Sequence, residues 1–338
     1  MAKISLIVPV SPNSNEADLR ALLRTIETQT LRDLEVLLVL EEGRNLSLGL
    51  DSRVRTCSLR GVKGASAARN YAAALSKSRI LGFLDDDVLL ESTWAELAVE
   101  TFNDESVGGA SGMACVPLHR YHMDYIPTEL LWVVGGCYWA STDIVTVGSA
   151  AGMNFCVRKM SFVEVGGYDV SLGPSGDRPE IDNWFRLGAE EDDLAYRIQN
   201  TCGKKIVYNP RMRVDHKLRR ETVLLRGVVK RALHVGHNRA YIHSRYPSGG
   251  ISSDSQVLQS LMRSTATTIM KIPFEPIRCW KKLSFTSIVV GILCVGYMFG
   301  SLRFRQNGSP RSKSDDSVKT RLAQRVIEHN LLKMRITW

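Results

Sequence analysis

The chain has no CxxC pair; its seven cysteines stand singly at 57, 115, 137, 156, 202, 279 and 294. That spacing argues against a zinc site and against a disulfide framework, and it suits reduced, mostly buried thiols of a cytosolic domain. The opening MAKISLIVPVSPNSNEADL lacks the succession of charged, long apolar and small-residue regions that marks a secretory leader, so none is expected. Its run SLIVPV is of strand length, far too short to cross a bilayer. The turn after that run, PVSPNSNEAD, holds neither glycine nor a basic residue, so a glycine-rich phosphate loop is missing at that place.

Acidic charge is scarce in the second part of the chain. Residues 201–338 carry 26 Lys or Arg against 7 Asp or Glu, whereas residues 1–200 carry 18 against 28. A uniformly basic nucleic-acid binder would not divide its charge this way, and no nucleic-acid partner is expected. An acidic half suits a cation site, and a basic half suits phosphates or anionic lipid headgroups. A solvated basic tail would have the same composition.

The first 110 residues alternate apolar strands with helical spacing. Lys3–Val10, Leu34–Leu40 and Arg79–Leu84 are continuous apolar runs, and Val54–Leu59 is a shorter one. Between them, Glu16–Gln29, the alanine-rich Ala65–Ser76 and Trp94–Phe102 have helical patterns. This rhythm predicts an α/β fold, a mixed, mostly parallel sheet with helices on both faces, whose ligands bind at the carboxyl ends of the strands. Val116–Val147 has no clear period and reads as an insertion beside the site. Gly148–Val157 is apolar again, Glu190–Asn200 is helical, and Lys205–Tyr208 is a short strand closed by Pro210. Residues 221–246 predict an amphipathic helix with an apolar face at Leu224, Leu225, Val228, Val229, Ala232 and Val235. Its other stripe holds Arg226, Lys230, His234, His237 and Tyr241. Residues 284–302 contain no charge over 19 positions, enough to cross a hydrocarbon core, with basic residues at both ends. Such a segment either spans once or enters and returns. The expected organisation is one domain over 1–220, with a first half to about 115 and a second half from 116. A basic membrane-proximal region follows at 221–280, then the apolar helix at 284–302 and a basic tail at 303–338, where Val318–Met334 reads as a basic surface helix.

Two acidic constellations carry chemistry. Asp85, Asp86 and Asp87 follow the strand ILGFL directly. Three adjacent carboxylates stay ionised together only beside a cation or strong hydrogen-bond donors. Mg²⁺ or Mn²⁺ with a substrate phosphate would supply that, and so would an acidic loop capping the next helix. Glu190, Glu191, Asp192 and Asp193 open a helix, which suits either a dipole cap or a general base whose pKa is raised by crowding. His216 reads as a third metal ligand or as a hydrogen-bonded structural residue. Arg226 and Lys230 read as phosphate contacts or as a solvated face. Trp132, Trp139 and Trp184 read as platforms on which a ligand ring stacks, or as core or membrane-surface residues.

Together these segments resemble the inverting family 2 glycosyltransferases with the GT-A fold, over roughly residues 3–240. SLIVPVSPN is similar to that family's first strand and nucleotide-contacting turn, which implies donor contacts at Pro9 and Ser11. LEVLLVLEEG is similar to its second strand, with Glu41 and Glu42 standing where the family commonly has aspartates. GASAARNYAAALSKS carries the Ala-Arg-Asn core at Arg69 and Asn70. GFLDDDV matches the D-x-D strand end, which implies that Asp85 and Asp86 lie against the nucleotide sugar and that Asp87, with Asp85, holds the metal. GMNFCVRKMSFVEVGGYD resembles the acceptor-side segment and brings in Asn154. GAEEDDLAYRI matches the block that implies Glu191 as the base, with Glu190 and Asp193 as supporting carboxylates. The resemblance implies a nucleotide diphosphate sugar donor and Mg²⁺ or Mn²⁺ as cofactor. The absence of Q-x-x-R-W implies addition of a single sugar. With the basic half and the uncharged segment, it further implies a lipid-linked or glycolipid acceptor and a membrane location with the catalytic domain on the cytoplasmic face. Two rivals remain: a nucleotidyltransferase making an activated sugar, and a non-catalytic membrane scaffold with the same fold.

Overall fold

The computed structural model describes residues 2–11, 13–41, 52–59, 64–137, 139, 141–173, 188–246 and 252–307. It begins with strand β1 (Ile4–Val10), helix α1 (Glu16–Glu27), β2 (Leu34–Glu41), β3 (Val54–Leu59), α2 (Ala65–Leu75) and β4 (Ile80–Leu84). There follow β5 (Val88–Leu90), α3 (Trp94–Thr101), β6 (Val107–Cys115), β7 (Val145–Thr146), β8 (Asn154–Arg158) and α4 (Lys159–Glu164). The remaining elements are α5 (Glu190–Thr201), β9 (Lys205–His216), α6 (Arg220–Val223), α7 (Leu225–Arg245), α8 (Ser252–Met270) and α9 (Pro276–Asn307). The strands form one sheet in the order β3-β2-β1-β4-β8-β6-β9-β5, with β7 paired to β9.

The four apolar runs of the first part lie side by side and parallel, with Ile4 opposite both Leu34 and Ile80. From β4 onward the sheet is mixed: β8 runs antiparallel between β4 and β6, and β6 runs parallel to β9. Side chains alternate faces along a strand, so a strand with core on both sides must be apolar throughout. In β1, Ile4, Leu6, Val8 and Val10 enter the core under α1 and α3, while Ile7 enters the one under α2, α4 and α5.

Strand β9 runs longer than the sequence suggests, because Pro210 does not end it. Its pairing with β6 shifts between Gly112 and Ala114, which places Pro210 in a bulge where no ladder donor is required. The Asn209 side chain accepts the Arg211 amide at 3.0 Å there. This continuation carries His216 to the strand's far end.

Asn154, which the sequence places toward the acceptor, sits fully buried in the core instead. Its amide nitrogen donates to the carbonyls of Met212 at 2.8 Å and Met113 at 3.1 Å, and its oxygen accepts from the Trp94 indole at 2.9 Å. A buried amide so engaged has no donor left for a substrate. Gly112 leaves room for it: a Cβ there would lie 1.9 Å from the Met212 carbonyl oxygen and 2.4 Å from the Asn154 nitrogen. Gly112→Ala is expected to destabilise the domain by about 3 kcal/mol, through overpacking and loss of that hydrogen bond. A urea-denaturation midpoint within error of the parent would contradict the bulge packing.

Candidate active site

The site forms where β1, β4 and β9 end and α5 begins. Helix α2 packs closely on the sheet because its inner face is alanine, with Ala67, Ala68, Ala72 and Ala73 buried. It is entered through Gly64, whose φ of 105° lies in a region that side chains avoid. This close packing drives Arg69 into the interior, where only 4% of it is exposed. The next residue, Asn70, clamps a distant segment: its amide donates to the Tyr168 carbonyl and accepts the Tyr168 amide, both at 2.8 Å. The Tyr168 ring then lies 5.4 Å from the Arg69 guanidinium. The Ala-Arg-Asn and Gly-Gly-Tyr-Asp segments are thus two halves of one contact.

The Arg69 guanidinium joins the two acidic constellations. One Nη donates to Glu191 Oε1 at 3.0 Å, and the other to Asp85 Oδ1 at 3.2 Å. Glu190 lies 3.9 Å from the same group. Burial and the neighbouring Glu190 charge raise the Glu191 carboxyl well above its ordinary value, against the opposing effect of Arg69. Glycine at 152 makes the space for that carboxylate, since a Cβ there would lie 2.1 Å from Glu191 Oε1.

The aspartate triad divides its charge among three partners. Asp85 pairs with Arg69. Asp86 accepts a hydrogen bond from Ser14, on the turn after β1 whose Ser11 hydroxyl lies 3.3 Å from the Ser14 hydroxyl. Burial, then the charges of Asp87 and Asp85, push the Asp86 carboxyl up to about 7. Asp87 faces Arg219 at 3.0 Å and His216 Nε2 at 3.4 Å. Burial acts to raise its pKa, but these two partners outweigh it and hold the carboxyl below its ordinary value.

Among the described residues, Asp85, Asp87 and His216 form a group that could hold a metal, with ligand atoms all within 4.8 Å of one another. Two carboxylates and an imidazole nitrogen suit a divalent ion such as Mn²⁺. His216 Nδ1 is 2.7 Å from the Gly135 carbonyl oxygen, which directs Nε2 toward Asp87 as an outer-shell partner does for a ligating histidine. Carboxylate donors and an oriented ring therefore fit the metal that the sequence implies.

Other predicted residues fall in different places. Pro9 is in β1 opposite Val39, at the strand end that leads to the Ser11 turn. Asp193 is fully buried, and its carboxylate accepts from Arg197 at 2.6 Å and from the Tyr246 hydroxyl at 2.6 Å, so it anchors α5 and α7 to each other. Trp132 and Trp139 are half-buried against apolar clusters. Trp184 and the Glu41 side chain lie outside the described residues.

The polar stripe predicted along residues 221–246 lies on one helix, α7, but runs from an exposed start to a buried end. The chain is extended at Leu224, which separates α6 from α7, and Leu224 and Leu225 are exposed. His237 and Tyr241 are buried against Phe304 of α9, while Arg226 is exposed and away from this group. The cation that α7 brings within electrostatic reach of Asp85 and Glu191 is Arg231, one residue beyond Lys230. Sequence reasoning missed Arg231 and Arg219. Both stand in a stretch dense in basic residues, where only packing tells which ones turn toward the carboxylates.

Comparison with known proteins agrees with this geometry. Residues 5–125 match the family described as glycosyl transferase family 2. The glucosyl-dolichyl phosphate glucuronosyltransferase of Haloferax volcanii is 24% identical over 244 residues, 71% of this chain and 75% of that one. The mannosyltransferase PcManGT from Pyrobaculum calidifontis, solved in complex with GDP-Man and Mn²⁺, superposes with a TM-score of 0.53 at 16% identity, over 89% of this chain and 87% of that one. GalNAc-T7, solved with UDP, GalNAc and Mn²⁺, gives a TM-score of 0.50 at 16% identity; 77% of this chain spans 54% of its length.

Gly152→Ala should lower turnover by at least tenfold by displacing Glu191 from Arg69, and should lower thermal stability as well, because the buried guanidinium loses a partner. Wild-type turnover in a folded Gly152→Ala protein would show that this placement of Glu191 is not used. The match over residues 5–125, the relative named for glycosyl transfer and the likeness in fold together support a family 2 glycosyltransferase with the GT-A fold.

Proposed function

We propose that the protein transfers one sugar, with inversion, from a nucleotide diphosphate sugar to a hydroxyl of a lipid-linked or glycolipid acceptor at a membrane, and that it does so with Mg²⁺ or Mn²⁺. The observation that carries this reading is the Arg69 fork, which holds the D-x-D carboxylate Asp85 and the carboxylate Glu191 on one guanidinium. Asp85, Asp87 and His216 would hold the ion, which when bound offsets charge that builds on the leaving diphosphate.

Glu191 takes the proton of the acceptor hydroxyl. The acceptor oxygen forms its bond to the anomeric carbon as the bond to the diphosphate breaks on the opposite face, and the proton remains on Glu191. Arg69 orients Glu191 and keeps the paired carboxylates from repelling one another. Arg219 adds positive charge beside Asp87, and Arg231 lies within electrostatic reach of Asp85 and Glu191, where a diphosphate or lipid phosphate would otherwise be repelled.

Relatives support the substrate classes. The Haloferax volcanii protein is named for a dolichyl phosphate substrate, and the two solved structures contain UDP or GDP-Man with Mn²⁺. Among the described residues one helix, over Pro276–Arg305, is long and apolar enough to cross a membrane, with a mean hydropathy of 1.9 over an 18-residue stretch. Nucleotide sugars are cytosolic donors, so the catalytic domain would face the cytoplasm.

The test is transfer from a panel of nucleotide sugars to polyprenyl-phosphate-linked and soluble acceptors, with and without Mn²⁺. Transfer to soluble acceptors alone would remove the lipid part of the proposal, and an absence of any transfer would remove the whole. Asp87→Ala is expected to abolish Mn²⁺-dependent binding of nucleoside diphosphate in a calorimetric titration; an unchanged titration would show that the ion sits elsewhere.

Glu191→Gln should keep donor binding and lower turnover on the order of 100-fold or more. A base works only when ionised, and a raised pKa means that ionisation is lost at a higher pH than usual. The acid limb of kcat/KM should therefore lie above the ordinary carboxylate value of about 4.3 and disappear in Glu191→Gln. A limb at or below that value would contradict the role of Glu191.

A further inference from the structure

Helix α9 is apolar enough to cross a bilayer, but its packing ties it to the catalytic domain. Its segment from Val289 to Phe304 lies along α7 at backbone contact. A Cβ on Gly236 of α7 would lie 2.1 Å from the Leu293 carbonyl oxygen, and one on Gly296 of α9 would lie 2.2 Å from the Leu233 carbonyl oxygen. At Gly300 the nearest groups are Ala240 and the His237 backbone. Farther toward the start of α9, Phe285 meets the Tyr125 ring at 5.6 Å.

Helix α7 cannot follow α9 into hydrocarbon. It carries Arg231, Arg239 and Arg245, and it is fastened to α5 through Arg239–Asp192 at 3.5 Å, Arg245–Asp193 at 3.6 Å and the Gly188 amide on Asn238 at 3.3 Å. A crossing by α9 would draw this charged helix, and the carboxylates it contacts, to bilayer depth, or would strip the glycine contacts.

The part of the α8–α9 pair beyond these contacts is different. Helix α8 is held to the domain by Ser260, which donates to Glu129 at 2.8 Å, and by Leu261, which packs in the same cluster as Phe285. Past that point the two helices and their turn expose Met270 (75%), Phe274 (84%), Ile277 (73%) and Trp280 (61%). The outward face of α9 continues this surface with Ile288, Val295, Met298, Phe299 and Leu302. Residues 252–305 carry seven Lys or Arg against two acids. A tip that interleaves exposed apolar side chains and a Trp with Lys271, Arg278 and Lys281 matches the interface of an anionic lipid surface.

We propose that α8 and α9 form a hairpin that enters one leaflet by its tip and returns, so that the chain before and after it stays on the catalytic side. This rests on the membrane association proposed above. It seats the transferase beside the leaflet instead of hanging it from a crossing helix, and it brings Arg231, on the helix between α9 and Glu191, close to the membrane surface.

The test uses the full chain with one epitope tag at each end, in sealed inside-out vesicles from expressing cells. Proteolysis from outside should remove both tags equally. Protection of the C-terminal tag alone would show a crossing and overturn the hairpin. In parallel, the double variant Phe274→Ser, Trp280→Ser should bind vesicles of phosphatidylcholine and phosphatidylglycerol at least tenfold more weakly than the parent, with Mn²⁺-dependent nucleoside diphosphate binding unchanged. Equal vesicle binding would overturn the tip assignment. A parent that forms dimers by sedimentation and ignores vesicles would show that a second copy covers this face, and would equally overturn the proposal. Vesicle binding with equal tag removal, but no sugar transfer, would uphold the hairpin while removing the proposed reaction.

Discussion

A guanidinium buried among carboxylates is the constraint on which this site depends. Arg69 and Glu190 are almost wholly removed from water and Glu191 is mostly so, while Asp85 stays 40% exposed. Neither sign is tolerable alone at that depth, since an unpaired buried charge costs several kcal/mol. The arginine and the acids therefore require one another. The arginine can reach both constellations only because the helix carrying it packs closely on the sheet. The alanines of α2, the left-handed Gly64 at its start and the Asn70 clamp on Tyr168 all serve that approach.

The same constraint explains how three adjacent aspartates coexist. Each is turned toward a different part of the fold: Asp85 to α2, Asp86 to the turn after β1, and Asp87 to the end of β9 and the residues beyond it. The strand end supplies the acids, and the surrounding elements supply the charge or donor that each needs. Burial and the charges of its two neighbours raise Asp86, whereas at Asp87 the His216 and Arg219 partners outweigh burial, so the two shifts have opposite signs.

Helix α7 links the chemistry to the apolar C-terminal helices. One side of it meets Asp192 and Asp193 of α5, and another accepts α9 through glycines. Small residues permit two helix backbones to approach until carbonyl and amide groups touch, which fixes their relation more firmly than larger side chains do. The parts expected as separate, a catalytic domain and an apolar anchor, thus share a structural element.

Much of this was legible in the chain itself. Continuous apolar runs identify β1, β2 and β4, since a strand buried on both faces has no polar side to show. Alanine and leucine spacing identifies α1 and α2, and acids placed directly after ILGFL and at the start of α5 mark the site. These signals are local, because they arise from periodicity and from charge too dense for a core. What the sequence could not supply depends on contacts between distant residues. Whether an asparagine faces a substrate or pins a bulge, as Asn154 does, depends on carbonyls contributed by Met113 and Met212. Pro210 reads as a stop unless the bulge that excuses its missing amide is known. Of the many basic residues after His216, only tertiary packing turns Arg219 toward Asp87. The sequence by itself determined which residue types the chemistry has available and which segments carry them. The tertiary structure decided their partners, because ionisation and hydrogen bonding depend on distances of a few ångströms between groups far apart in the chain.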